Sequence, residues 1–124
     1  KAFCCKENTQ LLNKTILPFI LKLINQEIEN CSASKILLDA PTLYESGADK
    51  LCNNVVVVLS NVENRKQRIL SRDNITEAEA ALRIGAGKTD EFYKSKTPHI
   101  LYNDGTLAEF TASFKALIKK LEEN

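Results

Sequence analysis

Leu51-Cys52-Asn53-Asn54-Val55-Val56-Val57-Val58-Leu59-Ser60-Asn61 holds the longest apolar run of the chain, Val55 to Leu59. Successive valines suit a strand by propensity. The run is nonetheless embedded between long flanks of helical periodicity, and a helix buried on most of its sides has the same appearance. We therefore read it as the centre of a helix. That helix starts near Thr42, where Glu45 three residues on completes the capping-box pattern, and continues through Leu51, Cys52 and Val55 to Val62.

Working outward, the next helix has two possible frames. A break near Asn61 gives a third helix over about 63–84, stopped by Gly85-Ala86-Gly87. Alternatively the second helix runs to Arg72, and the third begins at Ile75 behind a cap at Asp73-Asn74. The break near Asn61 is favoured. Towards the N-terminus, Leu12, Ile16, Phe19, Ile20, Leu23 and Ile24 form an apolar stripe, opposite Lys22, Asn25, Gln26 and Glu29. Pro18 is tolerated only in a first turn, so Thr15 is the expected N-cap of a helix over 16–30. Residues 1–14 then form an arm or a short helical turn. In the last helix Leu107, Phe110, Phe114, Leu117, Ile118 and Leu121 line one face, with Glu109, Lys115, Lys119 and Lys120 outside.

The connections over 32–42 and 88–104 each carry a short extended piece, Ile36–Leu38 and Ile100–Tyr102. Long crossovers let neighbouring helices run parallel. The expected fold is therefore all-α: a single domain over 1–124, an up-up-down-down four-helix bundle whose crossovers pair as a small two-stranded β ribbon.

Charge excludes some partners. With 17 basic against 16 acidic residues there is no excess to hold nucleic-acid phosphates. No run reaches about 18 apolar residues, so no membrane insertion is expected. The cysteines are Cys4, Cys5, Cys31 and Cys52; they lack metal-ligand spacing, and His99 is the only histidine. Disulfides in an oxidising compartment are the simpler account, with no metal and no cofactor. Sequons at Asn13, Asn30 and Asn74 point the same way, as does a start at Lys1-Ala2-Phe3 without methionine or apolar leader. A secreted, extracellular monomer is expected.

Catalytic signals are absent from this reading. His99 has no nucleophile motif beside it. Gly85-Ala86-Gly87-Lys88-Thr89 lacks the first glycine of a phosphate loop and follows no strand, so it reads as a helix stop. Glu77 and Glu79 are carboxylates of an early helical turn. No enzyme is expected.

The arrangement resembles the short-chain helical cytokines, and within them the interleukin-4/interleukin-13 family. Cys31 closes the first helix ahead of Leu38-Asp39-Ala40. Cys52 stands early in the second, in Lys50-Leu51-Cys52-Asn53-Asn54-Val55. Lys66-Gln67-Arg68-Ile69-Leu70-Ser71 and the ending Leu107-Ala108-Glu109-Phe110 to Leu121 are similar to that family's last two helices. The resemblance implies a type 2 immune signal, a cytokine that bridges two class I receptor chains. Arg65, Arg68 and Arg72, with Lys22 and Glu29, would meet the first chain, and Lys115 and Lys119 the second; a solvated helix face is the simpler account of the first set and explains the second equally well.

The sequence departs from that family in two ways. Phe19 occupies the place of its acidic receptor anchor. The family's usual partners for Cys31 and Cys52 are missing, which leaves Cys4–Cys31 with Cys5–Cys52, or Cys4–Cys52 with Cys5–Cys31. A straight helix from residue 7 to 30 would be about 36 Å long and would separate Cys5 from Cys31, so this pairing favours the late start at Thr15. The alternatives are a secreted carrier of lipids or other apolar ligands, with a cavity of several hundred Å³, and another short-chain cytokine, interleukin-2-like or a colony-stimulating factor.

Overall fold

The computed structural model describes residues 6–123, with side chains from residue 10 onward. The chain forms two compact units, Lys1–Asn53 and Asn54–Asn124.

In the first unit, α1 spans Lys6–Asn30 with Pro18 inside it. The helix does not begin at Thr15 as expected. The Thr15 hydroxyl instead donates to the Leu11 carbonyl one turn back, at 2.9 Å, a bond available only inside a helix. Asn25 does the same to Leu21 at 2.9 Å. Of the expected apolar stripe, Phe19 and Leu23 are exposed, while Leu12, Ile20 and Ile24 are half-buried. After an irregular segment come α2, Leu43–Ser46, and a 3-10 helix, Ala48–Leu51. Gly47 stops α2 because it adopts φ 78°, a left-handed conformation natural only to glycine. Thr42 makes no capping bond. The second helix read from sequence is thus reduced to one turn and a 3-10 turn around the buried Ala48.

The second unit overturns the all-α expectation. Val57–Leu59 is a strand, β1, and Ile100–Tyr102 is its partner, β2. They pair in parallel, Val57 with Ile100, Val58 with Leu101 and Leu59 with Tyr102. The Val57 N–H donates to the His99 carbonyl at 3.0 Å, and the Asn103 N–H to the Leu59 carbonyl at 2.8 Å. β-Branched side chains fit a pleated, half-buried surface, and here a partner strand supplies the ladder that a helix would have made internally. Leu59 and Leu101 are both buried, and their places in the register put them on opposite faces. The second strand of the expected ribbon, Ile36–Leu38, is not a strand; Ile36 and Leu37 are exposed.

Parallel strands need a long crossover, and helices supply it. These are α3, Val62–Asp73; α4, Glu77–Gly85; and α5, Asp90–Lys94. Both helix breaks weighed from the sequence occur. The Asn61 side chain caps α3 by accepting from the Asn64 N–H at 2.8 Å. Asn74 ends it in the left-handed conformation, φ 49°. Thr76 and Glu79 form a reciprocal capping box on α4, and Thr106 and Glu109 another on α6, Leu107–Glu122. Thr89 caps α5. Helix α6 packs against β2.

Candidate functional site

Each strand ends in polar residues, β1 in Ser60-Asn61 and β2 in Asn103-Asp104. Because the strands are parallel, these ends lie side by side. In open α/β sheets, ligands bind in the crevice outside the carboxyl ends of the strands.

One carboxylate oxygen gathers this edge. Asp104 Oδ1 accepts from the Ser60 hydroxyl at 2.7 Å, the Asn61 N–H at 2.7 Å and Asn64 Nδ2 at 3.2 Å. The Ser60 hydroxyl bond, followed by the Asn61 N–H, holds the Asp104 carboxyl below its ordinary range, and Asn64 and the Arg68 charge add to this. Arg68, two turns into α3, reaches back over the same edge. Its Nη1 donates to Ser60 Oγ at 3.2 Å and its Nη2 to the Asn103 carbonyl at 2.7 Å. A guanidinium carries five N–H donors, so Arg68 keeps capacity for an anion beyond these bonds.

The other basic residues of α3 also reach partners. Arg65 pairs with Asp90 of α5 at 3.4 Å, Lys66 with Glu77 of α4 at 2.7 Å, and Arg72 with Asp73 at 2.6 Å. Asp73 also receives Arg83 of α4. The Arg72 hydrogen bond is the largest cause that lowers the Asp73 carboxyl to about 2, with both arginine charges contributing. Arg72 follows Arg68 by four residues, so the two share a face of α3.

The remaining residues singled out from the sequence are not part of this edge. Lys22 and Glu29 are exposed on α1. Lys115 lines an open groove on α6 with Leu107, Ala108, Thr111 and Ala112, and Lys119 pairs with Glu123 at 3.9 Å. Cys31 and Cys52 are free thiols, Cys31 exposed and Cys52 half-buried; Cys4 and Cys5 lie outside the described residues. Burial, with help from the Asp49 charge, raises the Cys52 thiol. Asn13 lies within α1, Asn30 at its end and Asn74 at the α3–α4 corner. Gly85 closes α4 and Thr89 caps α5, so Gly85 to Thr89 is a helix-to-helix joint and not a phosphate loop. Among the described residues no helix is long and apolar enough to cross a membrane, and no group of His, Cys, Asp and Glu could hold a metal ion.

Ser60, Asn61, Asn64, Asn103 and Asp104 were missed as site residues. Their signal was a polar pair directly after each of two apolar runs. It became readable only when both runs were recognised as neighbouring strands.

The model of the dephospho-CoA kinase family matches residues 1–109. The dephospho-CoA kinase of Enterococcus faecalis is 32% identical over 123 residues, covering 98% of this chain and 60% of that protein. Those of Oryza sativa subsp. japonica and Corynebacterium glutamicum are also 32% identical, with 98% of this chain covered and 54% and 62% of theirs. The chain thus spans little more than half the length of these relatives. The crystal structure of TT1252 from Thermus thermophilus superposes with a TM-score of 0.75 at 23% identity, over 97% of this chain and 63% of that one. The shared fold is α/β with a parallel sheet.

These matches overturn the cytokine reading and its alternatives together. The apolar carrier and the other short-chain cytokines find no support. Receptor chains as partners rested on that resemblance and fall with it; the expectations of secretion, read from cysteines and sequons, and of no enzyme, read from missing motifs, are overturned by the same kinase relatives. The resemblance misled because an amphipathic last helix and a cysteine-flanked apolar run are features that unrelated folds share.

Proposed function

The chain belongs to the dephospho-CoA kinase family, and we propose that it binds dephospho-CoA and takes part in its phosphorylation by a nucleoside triphosphate. The observation that carries this reading is the Ser60, Arg68, Asn103 and Asp104 cluster at the carboxyl ends of two parallel strands. Phosphoryl transfer leaves little covalent chemistry to the protein; it needs positioning and positive charge around phosphate oxygens. An exposed arginine at the strand ends, with spare donors, supplies that, and arginine's planar fork matches phosphate better than lysine does. Arg72 and Arg83 extend the positive charge, because their shared carboxylate at Asp73 is exchangeable for a phosphate oxygen in water-accessible surroundings.

The sequence holds no complete G-x-x-x-x-G-K-S/T loop. Gly87-Lys88-Thr89 has Leu82 where the first glycine would stand. Binding of the acceptor is therefore the direct test. Calorimetric titration of the full chain with dephospho-CoA should give saturable binding. Arg68→Ala should weaken it by roughly tenfold or more, the scale of a lost hydrogen bond to a charged group. Adding magnesium and ATP and following ADP release then reads transfer. No saturable binding of dephospho-CoA, and no release, would remove the proposal.

A further inference from the structure

The Ser60 hydroxyl has a single proton, and the 2.7 Å bond commits it to Asp104 Oδ1. The Ser60 oxygen is thereby left as an acceptor, and Arg68 Nη1 donates to it at 3.2 Å. A free hydroxyl would rotate and present its proton to the guanidinium in some of its orientations, which repels the cation. Ser60 is only 7% exposed, so water is poorly placed to substitute for the carboxylate. The other half of the guanidinium is held by Asn103, whose carbonyl accepts from Nη2 at 2.7 Å. The same Asp104 oxygen accepts from the Asn61 N–H at 2.7 Å and from Asn64 at 3.2 Å, which ties the first turn of α3 to the end of β2. The carboxyl stays ionised because these donors favour its charged form.

We infer that Asp104 is a positioning residue: through the Ser60 hydroxyl it fixes the direction in which the Arg68 guanidinium is presented to the phosphate groups of dephospho-CoA. The substrate in that statement rests on the function proposed above; the Asp104 to Ser60 to Arg68 relay does not. Asp104 itself touches no substrate. Its bonds to Asn61 and Asn64 serve the α3–β2 junction, while its effect on substrate binding passes through Arg68, so removing it has no further consequence for binding once Arg68 is gone.

A double-mutant cycle on dephospho-CoA affinity tests this in the full chain, with Asp104→Ala, Arg68→Ala and the pair. Each single variant should weaken binding by roughly tenfold, and the pair should bind no more weakly than Arg68→Ala alone. Asp104→Asn, which keeps an acceptor oxygen in place, should restore most of the affinity lost in Asp104→Ala. Nitrogen-15 spectra give a readout independent of substrate. The Arg68 Nη–H resonances should be separate in the parent protein and averaged in Asp104→Ala and in Ser60→Ala. Fully additive losses in the cycle, or Arg68 resonances unchanged by Asp104→Ala, would overturn the inference. If the parent protein binds no dephospho-CoA, the proposed function fails, and the Arg68 resonances alone decide the relay: averaging upholds it and no change defeats it.

Discussion

The Asp73 carboxylate, on the last residue of α3, receives the Arg83 guanidinium of α4 across the corner at Asn74. It also holds Arg72 beside it in the chain, so one acid ties together the last turn of one helix and the last turn of the next. With Lys66 bonded to Glu77 at 2.7 Å, the α3–α4 pair is clamped at two places.

The Asp73 clamp gives a pH signature. Its carboxyl is lowered from 3.8 to about 2, chiefly by the Arg72 hydrogen bond. A depressed folded-state carboxyl stabilises the fold fully above its unfolded value, and that contribution is lost as pH falls through the folded one. The expected window therefore runs from about pH 4 down to about pH 2. Asp73→Asn should unfold at lower urea than the parent protein at neutral pH, and the gap should close across that window. A gap that persists below pH 2 would mean that packing, not charge, is responsible.

Capping threonines should separate cleanly from a helical one. Thr76→Ala and Thr106→Ala each remove a side chain that accepts from the helix's third N–H, at 3.3 Å in both, and each should cost about 1 kcal/mol in urea unfolding. Thr15→Ala, inside α1, should be neutral or slightly stabilising, since alanine is the better helix former. A loss at Thr15 as large as at Thr76 would restore Thr15 as a cap.

Pro18 sits in the interior of α1, where it has no N–H to offer the Lys14 carbonyl. Pro18→Ala should stabilise the helix by up to about 3 kcal/mol, read as a raised thermal midpoint in circular dichroism. An unchanged midpoint would show that the rest of the first unit has adapted to the proline.

Asn74 is the one described non-glycine residue with positive φ, at 49°. Asn74→Gly should be neutral or stabilising, whereas Asn74→Ala should cost about 1 kcal/mol through the left-handed backbone. Equal stability of both variants would remove the corner's dependence on that conformation.

The sequence by itself determined the features whose causes are local. The break at Asn61, the stop at Gly85 and the last helix from Leu107 follow from side chains that bond three or four residues away, or from apolar spacing along one helix. The bounds of Ile100–Tyr102 as an extended piece were legible too, as a short apolar run between polar residues, but not its partner. The tertiary structure alone decided that Val57–Leu59 is a strand, because its ladder partner lies 43 residues further on, at Ile100. A valine run satisfies its backbone equally well as a helix, by itself, or as a strand beside another, and nothing local reports which neighbour is present. The site inherits that dependence. In sequence Asp104 is only the end of the connection over 88–104; its role comes from Ser60, 44 residues earlier, which parallel pairing brings to within 2.7 Å.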